Sequence, residues 1–155
     1  MTDKSIDLNA MFAEFNDTYG YEPITFNSPN LKKAVKLISD EVVEILLESE
    51  AEELDQLAAA KELTDNLYIT MQQMSAMGLD IGMCLREVHR SNLSKTVPLA
   101  EAPKYVEEVK DRYPNVAITN KGDRAVLRCV DTGKVIKPSC YSPAEITTAM
   151  ISPVK

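Results

Sequence analysis

The sequence predicts a mainly α single domain over residues 1–155, with four core helices followed by a small β-hairpin near the C-terminus. Three observations lead there. Apolar residues recur at helical spacing through a core of about residues 5–95. Helix-starting and helix-ending residues punctuate that stretch. After Asn115 the period changes to alternation around the turn sequence Asp131-Thr132-Gly133-Lys134. A chain of 155 residues is the size of one ordinary domain.

The elements follow in order. Ser5 is placed to cap a first helix whose stripe is Leu8, Met11, Phe12 and Phe15, ending near Tyr19-Gly20. Residues 21–27, broken by Pro23, read as a loop. Ser28-Pro29 marks a second start, a capping hydroxyl followed by a first-turn proline, and this helix runs to about Ser49. A third helix extends from near Glu52 to Met77 and is closed by Gly78, which can take the left-handed conformation. Its methionine-rich second half, Tyr68 to Met77, suits a core or an oligomer interface. Asp80 caps a fourth helix carrying Ile81, Leu85 and Val88 on one line, which Asn92 continues.

Beyond it, Pro98 and Pro103 bracket a linker, and Lys104 to Tyr113 forms a short amphipathic helix ended by Pro114. Ala125–Val130 and Val135-Ile136 flank the Asp131–Lys134 turn as a hairpin, before a proline-punctuated tail. The C-terminal helix, hairpin and tail together occupy about residues 98–155.

Composition excludes several functions. Seventeen basic against 24 acidic residues give a net charge of −7, which argues against a phosphate-backbone binder. No apolar run approaches the roughly 20 residues that span a bilayer, and Met1 to Ser5 lack a signal-peptide pattern. A cytoplasmic location is therefore expected. Cys84, Cys129 and Cys140 form no CxxC pair, so neither a disulfide framework nor a zinc site is signalled. With His89 the single histidine, a Ser-His-Asp triad or multi-histidine centre is not expected.

The informative stretch is Asp40 to Asp65. Glu41 and Glu44 form one i,i+3 carboxylate pair, Glu62 and Asp65 another, on successive helices. Leu37, Glu41 and Glu44 share one helical line, flanked by Ala34, Ile38, Val42 and Ile45. Ala58, Glu62, Asp65 and Ile69 share another, beside Leu54 and Leu67. Carboxylates within an apolar stripe are costly unless paired or bound to metal. Four together predict a site for hard divalent cations, Mg²⁺ with Mn²⁺ able to substitute. The bland alternative is a solvated acidic face, because Glu48, Glu50, Glu52, Glu53 and Asp55 continue the charge.

Glu41-x-x-Glu44 followed by Glu62-x-x-Asp65 resembles the metal-binding signature of the all-α nucleoside triphosphate (NTP) pyrophosphohydrolases. That superfamily includes MazG-like proteins, dimeric dUTPases and phosphoribosyl-ATP pyrophosphatases. Glu87 to Lys95 resembles its phosphate-contacting segment, Asn92 followed three residues later by Lys95. Gly133 to Pro138 with Tyr141-Ser142-Pro143 looks like the tail of a phage branch.

The resemblance implies an all-α NTP pyrophosphatase-like fold and hydrolysis of a (d)NTP to the monophosphate and pyrophosphate. Glu41, Glu44, Glu62 and Asp65 would hold the metal, and Asp40 would bind a further ion or accept a proton. Asn92 and Lys95 would contact phosphates. It further implies a homodimer or homotetramer, a nucleotide-pool role, and host cytoplasm for a phage-encoded protein. Purine deoxynucleotides, dGTP or dATP, stand ahead of dUTP, with phosphoribosyl-ATP as the competing substrate. The loop over residues 21–27 is open to two readings, a connector or an arm reaching the base. A non-catalytic helical scaffold and a nucleotide-binding module that does not cleave are the alternatives from other classes.

Overall fold

In a computed structural model, which describes residues 5–152, the chain is mainly helical with one small antiparallel sheet of three strands, as the sequence predicts. It divides into two compact units. One comprises the residues up to Cys84 together with those from Thr147 onward, and the other is Leu85–Ile146.

The first unit is built on three helices, α1 (Leu8–Thr18), α2 (Ser28–Ser49) and α3 (Gln56–Ala76). Each starts on a capping side chain, but not always the expected one. Asp7, not Ser5, caps α1, its carboxylate accepting from the Ala10 amide at 3.1 Å. Asn27, not Ser28, caps α2 by accepting from Asn30 N at 3.0 Å, which draws Ser28 into the first turn ahead of Pro29. The third helix begins after Asp55 rather than near Glu52, because Asp55 Oδ1 accepts from both Leu57 N and Ala58 N. These short polar side chains satisfy amides that the helix itself cannot.

Phe12 is the centre of this unit's core, packed with Met71 and Ile81 and lying 4.7 Å edge-on from the Tyr68 ring. Met71 and Met77 are buried and Met74 packs against the same cluster. The methionine-rich half of α3 therefore faces the unit's interior. Residues 21–27 form a loop, tied down where Ile24 N donates to Ala76 O at 2.9 Å.

Gly78 ends α3 with φ of 78°. The tail returns here: Ser152 N donates to Gly78 O at 2.7 Å and Asp80 N to Met150 O at 2.9 Å. Helix α4 (Ile81–Leu93) follows, capped as expected by Asp80, whose Oδ1 accepts from Met83 N at 2.8 Å. The boundary between the two units falls within α4, at Cys84–Leu85.

The second unit contains β1 (Thr96–Pro98), α5 (Ala102–Val109), β2 (Val116–Lys121) and β3 (Arg124–Cys129), with strand order β1-β3-β2. Ala125, Leu127 and Cys129 alternate inward on β3 and pack with Val97, Ala102, Tyr105 and Ile136. Three expectations are corrected here. The Pro98–Pro103 segment is no linker, since β1 ends in it and a 3₁₀ turn over Leu99–Glu101 leads directly into α5. Helix α5 spans Ala102–Val109 rather than Lys104 to Tyr113. Pro103 fits its first turn, where no amide is needed, and the chain leaves the helix before Tyr113.

The third correction concerns the hairpin. The main one is β2–β3, closed by Gly122-Asp123, with Gly122 at φ of 61° supplying the left-handed residue such a tight turn needs. The expected Asp131–Lys134 turn does form, with Gly133 N donating to Cys129 O at 2.8 Å. Beyond it, Val135 makes only a single bridge to Arg128. The segment is restricted to the end of β3 that β1 leaves unpaired.

Glu87 ties the tail of this unit to α4. Its Oε1 accepts from Glu145 N at 2.9 Å, and it pairs with Arg90, which also donates to Ser142 Oγ and Pro143 O. The Arg90 guanidinium, first, and the Glu145 amide hold the Glu87 carboxyl down at about 2.

Two predictions follow from the packing. A side chain on Gly78 would meet both an unfavourable φ and the Ser152 carbonyl, so Gly78→Ala should destabilise by about 1–3 kcal/mol, read from the denaturant midpoint. Because the folded pKa of Glu87 is depressed, its stabilisation is present above the ordinary value of 4.5 and is lost as pH falls towards about 2. The difference in melting temperature between wild type and Glu87→Gln should shrink over that interval.

Candidate active site

Helices α2 and α3 lie against each other, fixed by Asn66 Nδ2 donating to the Ile38 carbonyl at 3.2 Å. That carbonyl belongs to the turn of α2 just before Glu41, so the bond sets the carboxylate-bearing turns side by side. Glu41, Glu62 and Asp65 each offer an oxygen, and these three oxygens lie within 4.8 Å of one another. Glu44 joins them through a hydrogen bond with Glu62. That bond, then the negative charge of Glu41, raises the Glu44 carboxyl above its ordinary value, since nearby negative charge disfavours its ionised form. The spacing that placed two pairs on two helix faces thus brings all four groups together.

The expectation that they enter the apolar interior is corrected. Glu41, Glu62 and Asp65 are half-buried and Glu44 is exposed. Of the flanking residues, Ala34 is buried, whereas Leu37, Val42, Leu54 and Leu67 are exposed. The two helices cover one another but present their outer faces uncovered, so the carboxylates sit at the rim of the core.

A residue that spacing did not single out completes the cluster. Lys61 Nζ donates to both Glu62 oxygens, at 3.0 and 3.2 Å, and to Asp65 Oδ2 at 2.8 Å. The signal was available, because Lys61 and Asp65 are an i,i+4 pair. The Asp65 bond, then the Glu62 bond, raises the Lys61 pKa. Its side chain is 64% exposed, so it is a solvated counter-ion rather than a buried partner.

The donor set fits a hard divalent cation, because all the ligand atoms are carboxylate oxygens, the donors such ions prefer. Asp40 stands outside this group, exposed on α2, and the favourable pairing with Lys36 that its i,i+4 spacing allows does not form among the described residues.

Asn92 and Lys95 belong to the second unit. Their side chains bond to each other, Lys95 Nζ donating to Asn92 Oδ1 at 2.6 Å. Lys95 and Lys137 lie 5.9 and 4.9 Å from the Tyr141 ring centroid. The Ser91 hydroxyl, first, and then the charges of Lys137, Lys95 and Arg90 lower the Tyr141 pKa. An amide, two lysines and a phenol thus collect at the end of α4, a basic patch on an acidic chain.

Residues 16–92 match the family model described as phosphoribosyl-ATP pyrophosphohydrolase. Asp40, all four clustered carboxylates and Asn92 fall within the match, and Lys95 lies just beyond it. No curated protein matches the chain. Among the described residues, no helix is long and apolar enough to cross a membrane. By this family match and by its helical architecture, the chain belongs to the MazG-like all-α NTP pyrophosphatase superfamily.

Proposed function

We propose that the chain is a divalent-metal-dependent nucleoside triphosphate pyrophosphohydrolase that converts a (d)NTP and water to the (d)NMP and pyrophosphate. The convergence of Glu41, Glu44, Glu62 and Asp65 from α2 and α3 carries this reading. In it, those four residues hold Mg²⁺, or Mn²⁺ in its place. The bound cation supplies Lewis acidity toward the triphosphate and makes water a better nucleophile at neutral pH. The chain's residues do the rest. The carboxylates fix where the α-phosphate stops, and Lys61, exposed and flexible, swings from Glu62 and Asp65 towards the incoming negative charge. Water attacks the α-phosphorus, the α–β bond breaks and pyrophosphate leaves. Asp40 has no ligand role here and acts as acceptor for the proton of the attacking water. Within the second unit, Asn92 and Lys95 offer groups suited to contacting phosphate.

Purine deoxynucleotides, dGTP or dATP, are the favoured substrates, in control of the nucleotide pool. Phosphoribosyl-ATP is the second reading, favoured by the description of the matched family. The assembly is a homodimer or homotetramer. Its interface is the uncovered apolar face of α2 and α3, where Leu46, Leu47, Leu57 and Leu63 are more than half exposed, an unusual concentration of leucine on a solvent face.

Pyrophosphate release with Mg²⁺ or Mn²⁺, across the common nucleotides and phosphoribosyl-ATP, tests the reaction. Pyrophosphate rather than single phosphate is expected. Glu44→Gln should keep the fold and lose about 100-fold or more in turnover, since removing even an outer partner of a metal ligand typically costs 10–100-fold. Normal activity in that variant would defeat the assignment. Mn²⁺ should raise the melting temperature, and more so in Lys61→Gln, where the competing ammonium is gone; no shift in either would favour a scaffold.

The solution mass should be two or four times the 17.2 kDa chain. It should fall when Leu46 and Leu57 are both replaced by Glu, and a wild-type monomer would remove the interface.

A further inference from the structure

We infer that the first unit carries a nucleobase pocket beside the carboxylate cluster, selective for guanine, with Glu22 and Gln73 reading the base. The inference builds on the hydrolase reading for where the triphosphate lies, but its evidence is separate. A cavity of about 530 Å³ opens between α1, the loop of residues 21–27, α2 and α3. That volume falls in the range of small-molecule sites. Leu37 and Ile69 form part of its wall. Leu37 lies one turn before Glu41 on α2 and Ile69 one turn after Asp65 on α3, so each helix leads from the wall to the cluster in about 6 Å. A base in the cavity thus leaves room for a sugar before the carboxylates.

The lining suits a flat aromatic ligand. Phe15 and Tyr21 face the cavity with ring centroids 6.1 Å apart, and Tyr19 stacks beside both, 4.4 Å from the Phe15 ring and 5.8 Å from that of Tyr21. Phe15 is also held edge-on by Tyr68 at 5.3 Å. Tyr21 is 52% exposed, an aromatic face available at the mouth.

Hydrogen-bonding capacity is what selects the base. Gln72 is buried and fully engaged. Its amide nitrogen donates to Asn16 Oδ1 at 2.9 Å, and its oxygen accepts from Gln73 Nε2 at 2.5 Å. Asn16 is anchored in turn by donating to Ser75 Oγ at 3.2 Å. This relay takes one N–H of the Gln73 amino group and leaves its Oε1 to accept. Glu22, the charged side chain of the lining, offers a carboxylate that no described residue engages. That carboxylate is the acceptor-only group of the wall.

Guanine matches that wall, because its Watson–Crick edge sets the N1–H and N2 amino donors side by side, as a carboxylate requires. Adenine and cytosine put a ring-nitrogen acceptor next to their amino group, and thymine and uracil flank one N–H with two carbonyls. Each of these would place an acceptor against the Glu22 carboxylate, an unmatched contact that sites of this kind reject strongly.

The test reads binding and turnover separately. Melting temperature is measured with Mg²⁺ and either dGMP or dAMP, and kcat/KM with dGTP and dATP, for wild type, Glu22→Gln and Gln73→Met. Wild type should be stabilised more by dGMP than by dAMP. Glu22→Gln should lower the dGTP-to-dATP ratio of kcat/KM by about 10-fold or more, mainly through KM for dGTP. Gln73→Met should shift it in the same direction. Equal stabilisation by both monophosphates, or a ratio unchanged in both variants, overturns the guanine pocket and leaves the hydrolase reading standing. Selective stabilisation by dGMP with no turnover of any triphosphate sustains the pocket and overturns the hydrolase reading instead.

Discussion

Three carboxylates with oxygens within 4.8 Å of one another, and Glu44 bonded to one of them, are the constraint around which the first unit is arranged. Like charges this close resist folding, and fully buried they would each lose several kcal/mol of solvation. The structure limits that cost in three ways. The cluster stays at the rim of the core, half in water. The hydrogen bond with Glu62 raises the Glu44 carboxyl, and Lys61 lays its ammonium across Glu62 and Asp65. What keeps the groups together despite repulsion is the packing of α2 on α3, with Asn66 bonded to the Ile38 carbonyl, and the apolar contacts of Phe12, Met71 and Ile81 lower in the unit. Stability is supplied in one place and strained in another, as is usual where titratable groups are gathered for chemistry.

The two units solve the packing problem differently. In the first, long helices bury a few large side chains and leave much leucine and valine on their outer faces. In the second, a three-stranded sheet and α5 enclose a larger and more completely covered core, in which Val97, Ala125 and Leu127 have no exposure at all. Strand alternation gives that sheet one inward face. The arginines at the outward positions of β3, Arg124 and Arg128, reach the backbone of neighbouring segments, Thr96 O and Gly133 O.

Much of this could be read from residues alone, for identifiable reasons. Helical period and capping chemistry are local, so the helices were visible. Their starts slipped by one to four residues because several short polar side chains competed for each cap, as with Ser5 against Asp7. The carboxylate pairs were visible because i,i+3 spacing on two helices is also local. Their depth was not, since burial depends on what covers the outer faces. Strand β2 was hidden because only Val116 is even half-buried and Ile118 is exposed, which erases the alternation that marks a strand. Lys61 was passed over because its partners come from both sides in sequence, Glu62 next to it and Asp65 one turn on. The polar wall of the cavity was beyond reach, because it depends on a relay linking Asn16 to Gln72 and Gln73, residues far apart in the chain.

The bridge between Leu79 and Ile151, with the bonds from Ser152 to Gly78 and from Asp80 to Met150, has a kinetic meaning. The helices of the first unit are made before the second unit, yet some of their contacts come from residues translated only after the whole of it. During elongation the second unit can settle on its own short-range contacts, while the first waits with its final turn open. Closing that long loop is an entropic step that local helix formation cannot replace. The first unit can thus close only once the second has been made.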